Sequence, residues 1–308
     1  MLNSSIFVVG SANTDMVIQV AHLPKPGETV IGDKFSKVQG GKGANQAVAA
    51  RRAGGKVYFV GCVGKDDFGK NTRAALSSEG IDVTYLAQDS QASSGVALIF
   101  VDLKGENCIA VASGANRLLR SSDVEAAFNR IDPADIVLVQ QEIPAEIVKQ
   151  AIRQGQQKEA IIILNPAPAC PFDLELLPYI SYLVPNEIET EMLTGIRVQC
   201  EDDARLAATQ LLSLGAKNVL ITLGAQGVWI ANAYEQQLVK GFEVATLDTT
   251  AAGDVFCGAL AVAITEQRNL LEASTFACAA AALSVTKVGA QPSAPTRVEI
   301  DAFLNINR

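Results

Sequence analysis

Short runs of consecutive apolar residues recur along the chain and predict strands that are buried on both sides. They lie at residues 6–9, 57–63, 136–139, 161–164, 182–184 and 219–223. Most of these runs are continuous rather than alternating, which is typical of parallel strands covered on both faces of a sheet. The pattern therefore predicts a central, parallel sheet.

Helical segments lie between several of these runs. Residues 44–53 are rich in alanine and stop at Gly54 and Gly55, and residues 201–214 stop at Gly215. Glycine commonly ends a helix because it adopts the left-handed conformation without strain. Residues 121–125 combine hydroxyl groups with acidic side chains, which favours a helix start. Alternating strands and helices predict a three-layer α/β/α fold, in which helices cover both faces of the sheet.

Two segments depart from this alternation. Residues 16–39 and 94–113 carry strand-like runs separated by turn-like residues such as 104–107, a pattern typical of β-hairpins. We expect them to add to the main sheet as a small β-lid over the strand ends, built from about residues 12–40 and 94–113. Because no linker rich in proline, glycine or serine divides the chain, residues 1–308 are predicted to form a single domain with a lid.

Charge and histidine content limit the possible functions. The 308 residues include 25 Lys and Arg against 33 Asp and Glu, a formal net charge of −8. This balance argues against a nucleic-acid or anionic membrane partner, since both favour basic surfaces. The single histidine, His22, lies in a proline-rich turn and is predicted to be non-catalytic. Mechanisms that need a histidine triad or a histidine-rich metal site are not expected.

The cysteines and the N-terminal residues indicate a cellular compartment. Six cysteines, at positions 62, 108, 170, 200, 257 and 278, include no C-x-x-C pair. We expect them to be reduced core thiols rather than a zinc site or a disulfide framework. No basic residue precedes the first apolar run, and no apolar run approaches the roughly 18 residues of a membrane helix. The sequence predicts a cytoplasmic protein.

Two familiar nucleotide-binding motifs are incomplete or missing. Residues 64–71 come within one residue of the P-loop pattern G-x-x-x-x-G-K-[ST], but Asn71 replaces the hydroxyl residue that ligates Mg²⁺ and Phe68 replaces a small residue. We interpret this segment as a turn between a strand and a helix. The absence of G-x-G-x-x-G argues against a dinucleotide-dependent oxidoreductase.

Two glycine-containing segments are candidates for ligand binding. Residues 40–46 place three glycines around Lys42 at the start of an alanine-rich helix, with Asn45 close behind. Residues 248–254 lead into an apolar helix, and the first amides of that helix, in residues 251–254, would attract an anion. Asp254 at the same helix start is suited to accept a proton from an attacking hydroxyl. The structural alternatives are a tight turn and a helix-capping aspartate.

Two further candidate segments follow predicted strands. Asn186, Glu187, Glu189 and Glu191 offer oxygen ligands for Mg²⁺ after the strand at 182–184, and their alternative interpretation is a solvated helix start. Residues 222–227 end another strand with two glycines, which would let the phosphates or ribose of a nucleotide approach the backbone.

The ordered set of motifs resembles the ribokinase-like carbohydrate kinase family, which also includes adenosine kinases and fructokinases. The likeness extends over essentially the whole chain and is carried by residues 10–15, 40–46, 165–169, 186–189, 222–224, 248–254 and 289–293. It implies a Rossmann-like fold and ATP-dependent phosphorylation of D-ribose at its 5-hydroxyl. Asn13 favours ribose, because related deoxyribose kinases tend to carry an apolar residue there. The alternatives are a kinase for 2-deoxyribose, another small sugar or a nucleoside, and a non-catalytic sugar-binding regulator.

The resemblance also implies roles for individual residues. Asp254 is implied to be the general base, with Ala251, Ala252 and Gly253 as the anion hole. The residues implied to contact ribose are Asn13, Asp15, Gly41, Lys42, Asn45, Glu142 and Asp254. Those implied to contact the nucleotide are Asn186, Thr222, Gly224, Gly227, Gly253 and Cys278. Glu189 is implied to bind Mg²⁺ through water, and an activating K⁺ is implied at Asp248, Thr250, Ser284, Lys287, Gly289 and Ser293.

The sequence departs from the family pattern at two of these positions. Cys278 stands where many members carry histidine or another polar residue near the adenine, and Ala251 replaces the glycine of the wider family.

The likeness further implies a homodimer through the β-lid. Candidate apolar contacts for it are Val96, Leu98, Phe100 and Ile109, and their alternative role is to cover the protein's own substrate.

Overall fold

Residues 4–307 are described by a computed structural model and form two β-sheets with helices around the larger one. In chain order the strands are β1 (Ser5–Val9), β2 (Asn13–Gln19), β3 (Lys34–Gly40), β4 (Lys56–Gly64), β5 (Leu86–Asp89), β6 (Gly95–Val101), β7 (Asn107–Ala112), β8 (Ile136–Val139), β9 (Ile161–Leu164), β10 (Tyr182–Leu183), β11 (Asn218–Thr222), β12 (Gly227–Ala231) and β13 (Gln236–Lys240). The helices are α1 (Lys42–Arg52), α2 (Asp67–Ser78), α3 (Ser121–Phe128), α4 (Ala145–Gln157), α5 (Glu187–Thr194), α6 (Glu201–Ser213), α7 (Ala252–Thr265), α8 (Leu270–Ser284) and α9 (Arg297–Ile306).

The main sheet has the strand order β13-β12-β11-β10-β9-β8-β1-β4-β5 within the described range. Neighbouring strands are parallel from β11 to β5, whereas β12 runs antiparallel to both β11 and β13. The predicted parallel sheet is therefore extended at one edge by an antiparallel hairpin that the apolar runs alone did not indicate. A two-stranded hairpin needs only a short loop, so it adds strands without a crossover helix.

The apolar runs are continuous because both faces of the sheet are buried. In β1, Ile6 and Val8 pack in the core cluster that includes α1, α7 and α8, while Phe7 and Val9 pack in the cluster that includes α3, α4 and α6. Successive side chains of a strand point to opposite faces. The predicted three-layer α/β fold is confirmed.

The two predicted hairpins form a separate four-stranded sheet in the order β3-β2-β6-β7, rather than additional strands of the main sheet. β2 pairs antiparallel with β3, β6 pairs antiparallel with β7, and the parallel pair β2–β6 joins the two hairpins. Asn13, at the start of β2, lies opposite Gly40 and Gly95. The base of this lid sheet therefore adjoins the segment that begins α1.

The segment that resembles a P-loop, the single histidine and the cysteines lie largely outside the candidate site. Residues 64–71 form the turn between β4 and α2, where Asp66 caps the helix by accepting from the Gly69 amide at 2.8 Å. His22 is exposed and contacts Glu28. The expectation of core thiols holds for three cysteines, whereas Cys108 and Cys200 are exposed because they lie on a lid strand and in a loop. Among the described residues no helix is long and apolar enough to span a bilayer.

Candidate active site

Polar side chains collect where the parallel strands of the main sheet end. Ser11 follows β1, Gln140 and Glu142 follow β8, Asn165 follows β9, and Asn186 follows β10. The carboxyl ends of parallel strands share one edge, and ligands of open α/β sheets bind there. The structure thus brings segments separated by more than a hundred residues to a single edge.

Helices α1 and α7 begin at this edge and pack closely against each other. A methyl group on Gly43 of α1 would lie 2.7 Å from the Cα of Gly10, and one on Gly258 of α7 would lie 2.6 Å from the Gln46 carbonyl oxygen. Glycine at position 43 lets α1 approach the loop after β1, and glycine at position 258 lets α7 approach α1. As a result Asn45 and Gln46 of α1 face Asp254 in the first turn of α7.

Asp254 is a buried carboxylate with two amide donors. Asn45 Nδ2 donates to Oδ2 and Gln46 Nε2 donates to Oδ1, each at 3.0 Å. Burial raises the pKa of Asp254, while the nearby Lys42 ammonium and the two amide hydrogen bonds act in the opposite direction. The same charge pair raises the pKa of Lys42. A raised pKa makes Asp254 a stronger proton acceptor than an exposed aspartate.

A small polar cavity of about 190 Å³ lies beside Asp254. Lys42, Asn165, Glu189 and the backbone of residues 251–253 contribute to its lining. Close by, Asn45 Oδ1 is buried without a hydrogen-bond partner in the described part of the chain. Unpaired buried acceptors are costly, so this oxygen is suited to a hydroxyl donor supplied by a ligand.

Glu142 and Asn13 line a second cavity, of about 550 Å³, which also includes Val111 of the lid sheet. Glu142 Oε2 accepts from Ser11 Oγ at 2.5 Å and from the Lys42 amide at 3.1 Å, so it joins the loop after β1 to the start of α1. Asn13 Oδ1 accepts from Asn116 Nδ2 at 2.8 Å. Asn13 Nδ2 has no acceptor among residues 4–307 and is available to a ligand oxygen. Gly41 begins α1 with φ of 89°, a left-handed conformation that favours glycine.

Asp15 on β2 is a further carboxylate that interacts electrostatically with Glu142 and Asp254. Burial and the negative charges of Glu142 and Asp254 raise the pKa of Asp15 from 3.8 to about 6. A methyl group on Gly40 would overlap the Asp15 carboxylate. Glycine at that position therefore makes room for the acid, whose carboxylate accepts no side-chain or backbone hydrogen bond from the described residues.

The predicted nucleotide contacts share one cleft of about 540 Å³. Asn186, Thr222, Gly224, Gly227, Gly253 and Cys278 all line it. Phe256, Ala281, Ala282 and Val285 form an apolar part of its wall, as expected for a site that receives an aromatic base. Burial raises the pKa of Cys278 to about 12. Cys278 is thus a neutral thiol that extends the apolar wall, in place of a polar contact.

The cleft and the small cavity meet at the start of α7. The amides of Gly253 and Asp254 have no acceptor within the described residues, and Ala252 donates to the Thr249 carbonyl at 3.3 Å. Free amides and the helix dipole make such a helix start attractive to phosphate oxygens. Ala251 adopts φ of 61°, a left-handed conformation. This conformation explains why glycine is favoured at position 251 and why alanine there carries some strain.

The predicted K⁺ residues lie in two segments, residues 248–250 and 284–293, which Asp248 joins. Its carboxylate accepts from the Thr250 amide at 2.9 Å and from the Gly289 amide at 2.8 Å. Burial tends to raise the pKa of Asp248, but these hydrogen bonds lower it overall, so the group stays ionised. The Lys287 ammonium pairs with Glu299 at 2.7 Å, which leaves only the carbonyl oxygen of Lys287 as a ligand. One carboxylate and backbone carbonyls are a donor set that fits a monovalent cation.

Asn186 and Glu189 have a structural role of their own. Asn186 Oδ1 accepts from the Glu189 amide at 2.8 Å, and Glu189 Oε2 accepts from the Asn186 amide at 2.9 Å, a capping box that begins α5. Burial raises the pKa of Glu189.

Over residues 4–307 no group of three or more His, Cys, Asp or Glu side chains is arranged to hold a metal ion. The residues present fit Mg²⁺ that arrives with a nucleotide and keeps most of its water ligands.

A family model for pfkB family carbohydrate kinases matches residues 3–297. The chain belongs to this family. It is 44% identical to the ribokinase of Haemophilus influenzae, over 98% of this chain and 99% of that protein. It is 37% identical to the deoxyribokinase of Salmonella typhi over the same shares of the two chains. The structure of Arabidopsis thaliana ribokinase complexed with ribose and ATP shares 34% identity and a TM-score of 0.90, over 98% of this chain and 99% of that one.

The pfkB family site contains residues to which the sequence alone gave no role. Gln46, Gln140 and Asn165 form an amide network behind Asp254. Asn116 holds Asn13, and Ser11 holds Glu142. Four of these five follow a strand end or lie in a glycine-rich motif, and Ser11, Gln46 and Asn165 also lie in segments that carry the family resemblance.

Proposed function

We propose that this protein is a ribokinase, which transfers the γ-phosphoryl group of ATP to the 5-hydroxyl of D-ribose to give D-ribose 5-phosphate and ADP. The observation that carries the proposal is the position of Asp254. Its buried carboxylate lies between a cavity lined by polar groups and a helix start with free amides. Family membership and the ribokinases at 37–44% identity support the reaction.

The mechanism follows from the side chains in place. Asp254 accepts the proton of the sugar hydroxyl as its oxygen attacks the γ-phosphorus. The amides of Gly253 and Asp254 hold the oxygens of the phosphoryl group in transit, and the Lys42 ammonium adds positive charge. Asn13, Asp15, Asn45 and Glu142 orient the sugar by its other hydroxyls. Closing the lid sheet excludes water, which limits hydrolysis of ATP.

Mg²⁺ and K⁺ belong to this proposal. Glu189 and Asn186 would hold water ligands of Mg²⁺, which when bound neutralises charge on the phosphate oxygens. Asp248 and the carbonyl oxygens of the 248–250 and 284–293 loops would hold K⁺. Because the 248–250 loop leads directly into α7, an ordered loop keeps the free amides of α7 in position.

Substrate choice is tested by measuring ADP release with ribose, 2-deoxyribose and a panel of small sugars and nucleosides. We expect the highest kcat/KM with ribose, because Asn13 Nδ2 is free to contact a hydroxyl that deoxyribose lacks. The deoxyribokinase at 37% identity makes 2-deoxyribose the second candidate. Equal kcat/KM values for the two sugars would contradict the assignment of ribose.

The catalytic role of Asp254 is tested by Asp254→Asn. The amide has the same shape but cannot accept the proton, so we expect kcat to fall at least about 100-fold, the low end for loss of a general base. The KM for ATP should stay within about threefold. A variant with near-normal turnover would overturn the proposed role.

Assembly and location complete the proposal. Phe35, Leu98, Ile109 and Val111 expose apolar surface on the lid sheet, and an exposed apolar patch of this kind favours contact with another chain. A homodimer that packs two lids together would cover it. A cytoplasmic location is consistent with six free cysteines and with phosphorylation by ATP.

A further inference from the structure

Three buried amide side chains form a chain of hydrogen bonds behind Asp254. Gln140 Nε2 donates to Gln46 Oε1 at 2.6 Å, and Gln46 Nε2 donates both to Asp254 Oδ1 at 3.0 Å and to Asn165 Oδ1 at 3.1 Å. Asn165 Nδ2 in turn donates to the Val184 carbonyl at 2.9 Å. Gln46 and Gln140 are fully buried. All hydrogen-bonding groups of the Gln46 amide are thus used.

The direction of this chain is fixed at both ends by groups that only accept. An ionised Asp254 carboxylate offers no proton, so the Gln46 atom that faces it must be the amide nitrogen. The Val184 carbonyl likewise requires the nitrogen of Asn165, which turns the Asn165 oxygen toward Gln46. Gln46 then presents its oxygen to Gln140, which must supply a donor. A flip of any one amide would oppose two acceptors or two donors.

The network restrains the Asp254 carboxylate together with Asn45. Asn45 donates to one carboxylate oxygen and Gln46 to the other, so rotation of the group would break both hydrogen bonds. Gln46 is fully buried, and its amide nitrogen and oxygen are both engaged within the protein, which leaves no group of Gln46 for sugar or nucleotide. Its hydrogen bond favours the ionised form of Asp254 against the effect of burial.

We propose that Gln46, held in one orientation by Gln140 and Asn165, is the positioning residue that fixes the Asp254 carboxylate for proton transfer. The inference rests on the proposed function, in which Asp254 is the base. The charged and titratable groups that face Asp254 from the surrounding elements would be unchanged in a Gln46 variant; they are Asp15, Lys42, Glu142, Glu189 and Cys257.

The test is the pH dependence of kcat in Gln46→Met, which keeps the length of the side chain and removes its donors. A hydrogen bond to a charged group favours the ionised carboxylate enough to move its pKa by roughly one unit or more. We therefore expect the acid limb of the kcat profile to move to higher pH by about one unit. At neutral pH kcat should fall about 10-fold, with the KM values for ribose and ATP within about threefold.

Leu211→Ala is the matched control for loss of stability alone. Leu211 is fully buried on α6, in the core cluster on the opposite face of the sheet from α1 and α7. The acid limb of the kcat profile of Leu211→Ala should coincide with that of the unchanged protein. A folded Gln46→Met with an unmoved acid limb would overturn the inference.

Should Gln46→Met fail to fold, Gln140→Met decides the question. Gln140 touches neither Asp254 nor the sugar cavity, and its loss leaves the Gln46 oxygen without a donor. We expect kcat to fall at least about threefold with unchanged KM values, and an unchanged kcat would refute the positioning role. Asp254→Asn distinguishes failure of the proposed base from failure of the Gln46 inference. An active Asp254→Asn would show that Asp254 is not the base. An inactive Asp254→Asn together with an unmoved acid limb in Gln46→Met would reject only the role of Gln46.

Discussion

Replacing Asp15 by asparagine should make the protein more stable at neutral pH while weakening sugar binding. Asp15 is a partly buried carboxylate close to Glu142 and Asp254, and no side chain or amide donates to it in the described part of the chain. Asparagine keeps the shape and removes the charge. No hydrogen bond within the protein is lost by the substitution.

The magnitude follows from the pKa of Asp15, which is raised from 3.8 to about 6. Each pKa unit corresponds to about 1.4 kcal/mol, so the ionised carboxylate costs the folded state up to about 3 kcal/mol above pH 6. Because the folded state binds the proton more tightly, the contribution of Asp15 to stability decreases as pH rises from about 4 to about 6. We expect Asp15→Asn to gain about 1–3 kcal/mol at pH 7.5 and almost nothing near pH 4.

Urea unfolding of both proteins across pH 4 to 8 measures this difference, and the KM for ribose reports the loss of a sugar contact. Asp66→Asn is the matched control with the opposite sign. Although burial opposes the effect, hydrogen bonds from Ser94 and Gly69 lower the pKa of Asp66, so that substitution should cost about 1–2 kcal/mol at pH 7.5 and less in acid. A loss of stability in Asp15→Asn, or a gain that does not change with pH, would refute the reasoning.

Four further predictions concern two glycines, the cation and the lid. Gly43→Ala should lose about 2 kcal/mol or more in urea unfolding, because its methyl group would lie 2.7 Å from the Gly10 backbone. The methyl group added by Gly253→Ala would have no neighbour within 4 Å, so the free energy of unfolding should change by less than about 0.5 kcal/mol. Because that methyl group would enter the proposed phosphate site, kcat/KM for ATP should fall at least about fivefold. Replacing K⁺ by Li⁺ at constant ionic strength should reduce kcat, and unchanged turnover would reject the cation site. Ile109→Asp, on a lid strand where Ile109 is 52% exposed, should convert a dimer to a monomer in sedimentation velocity; an unaltered sedimentation coefficient would argue against dimerisation through the lid.

The order of motifs predicted more of the site than the individual motifs did. Residues 248–254 and 40–46 were each compatible with a simple turn or cap, and the structure places them against each other through the close packing of α1 and α7. That packing depends on Gly258, whose neighbour Gln46 lies far away in sequence. The roles of Gln46, Gln140 and Asn165 could not be predicted, because a hydrogen bond between amides depends on their relative orientation.

Most elements of the main sheet, and the chemistry available to this protein, follow from its sequence. Continuous apolar runs specify strands covered on both faces, and the single histidine makes carboxylates such as Asp254 the candidates for proton transfer. Tertiary structure alone decided the charge environment and the orientation of these groups. Burial in the folded state raises the pKa of Asp15 most. The charges of Glu142 and Asp254, 127 and 239 positions further along the chain, raise it as well, because electrostatic interaction depends on distance in space rather than in sequence.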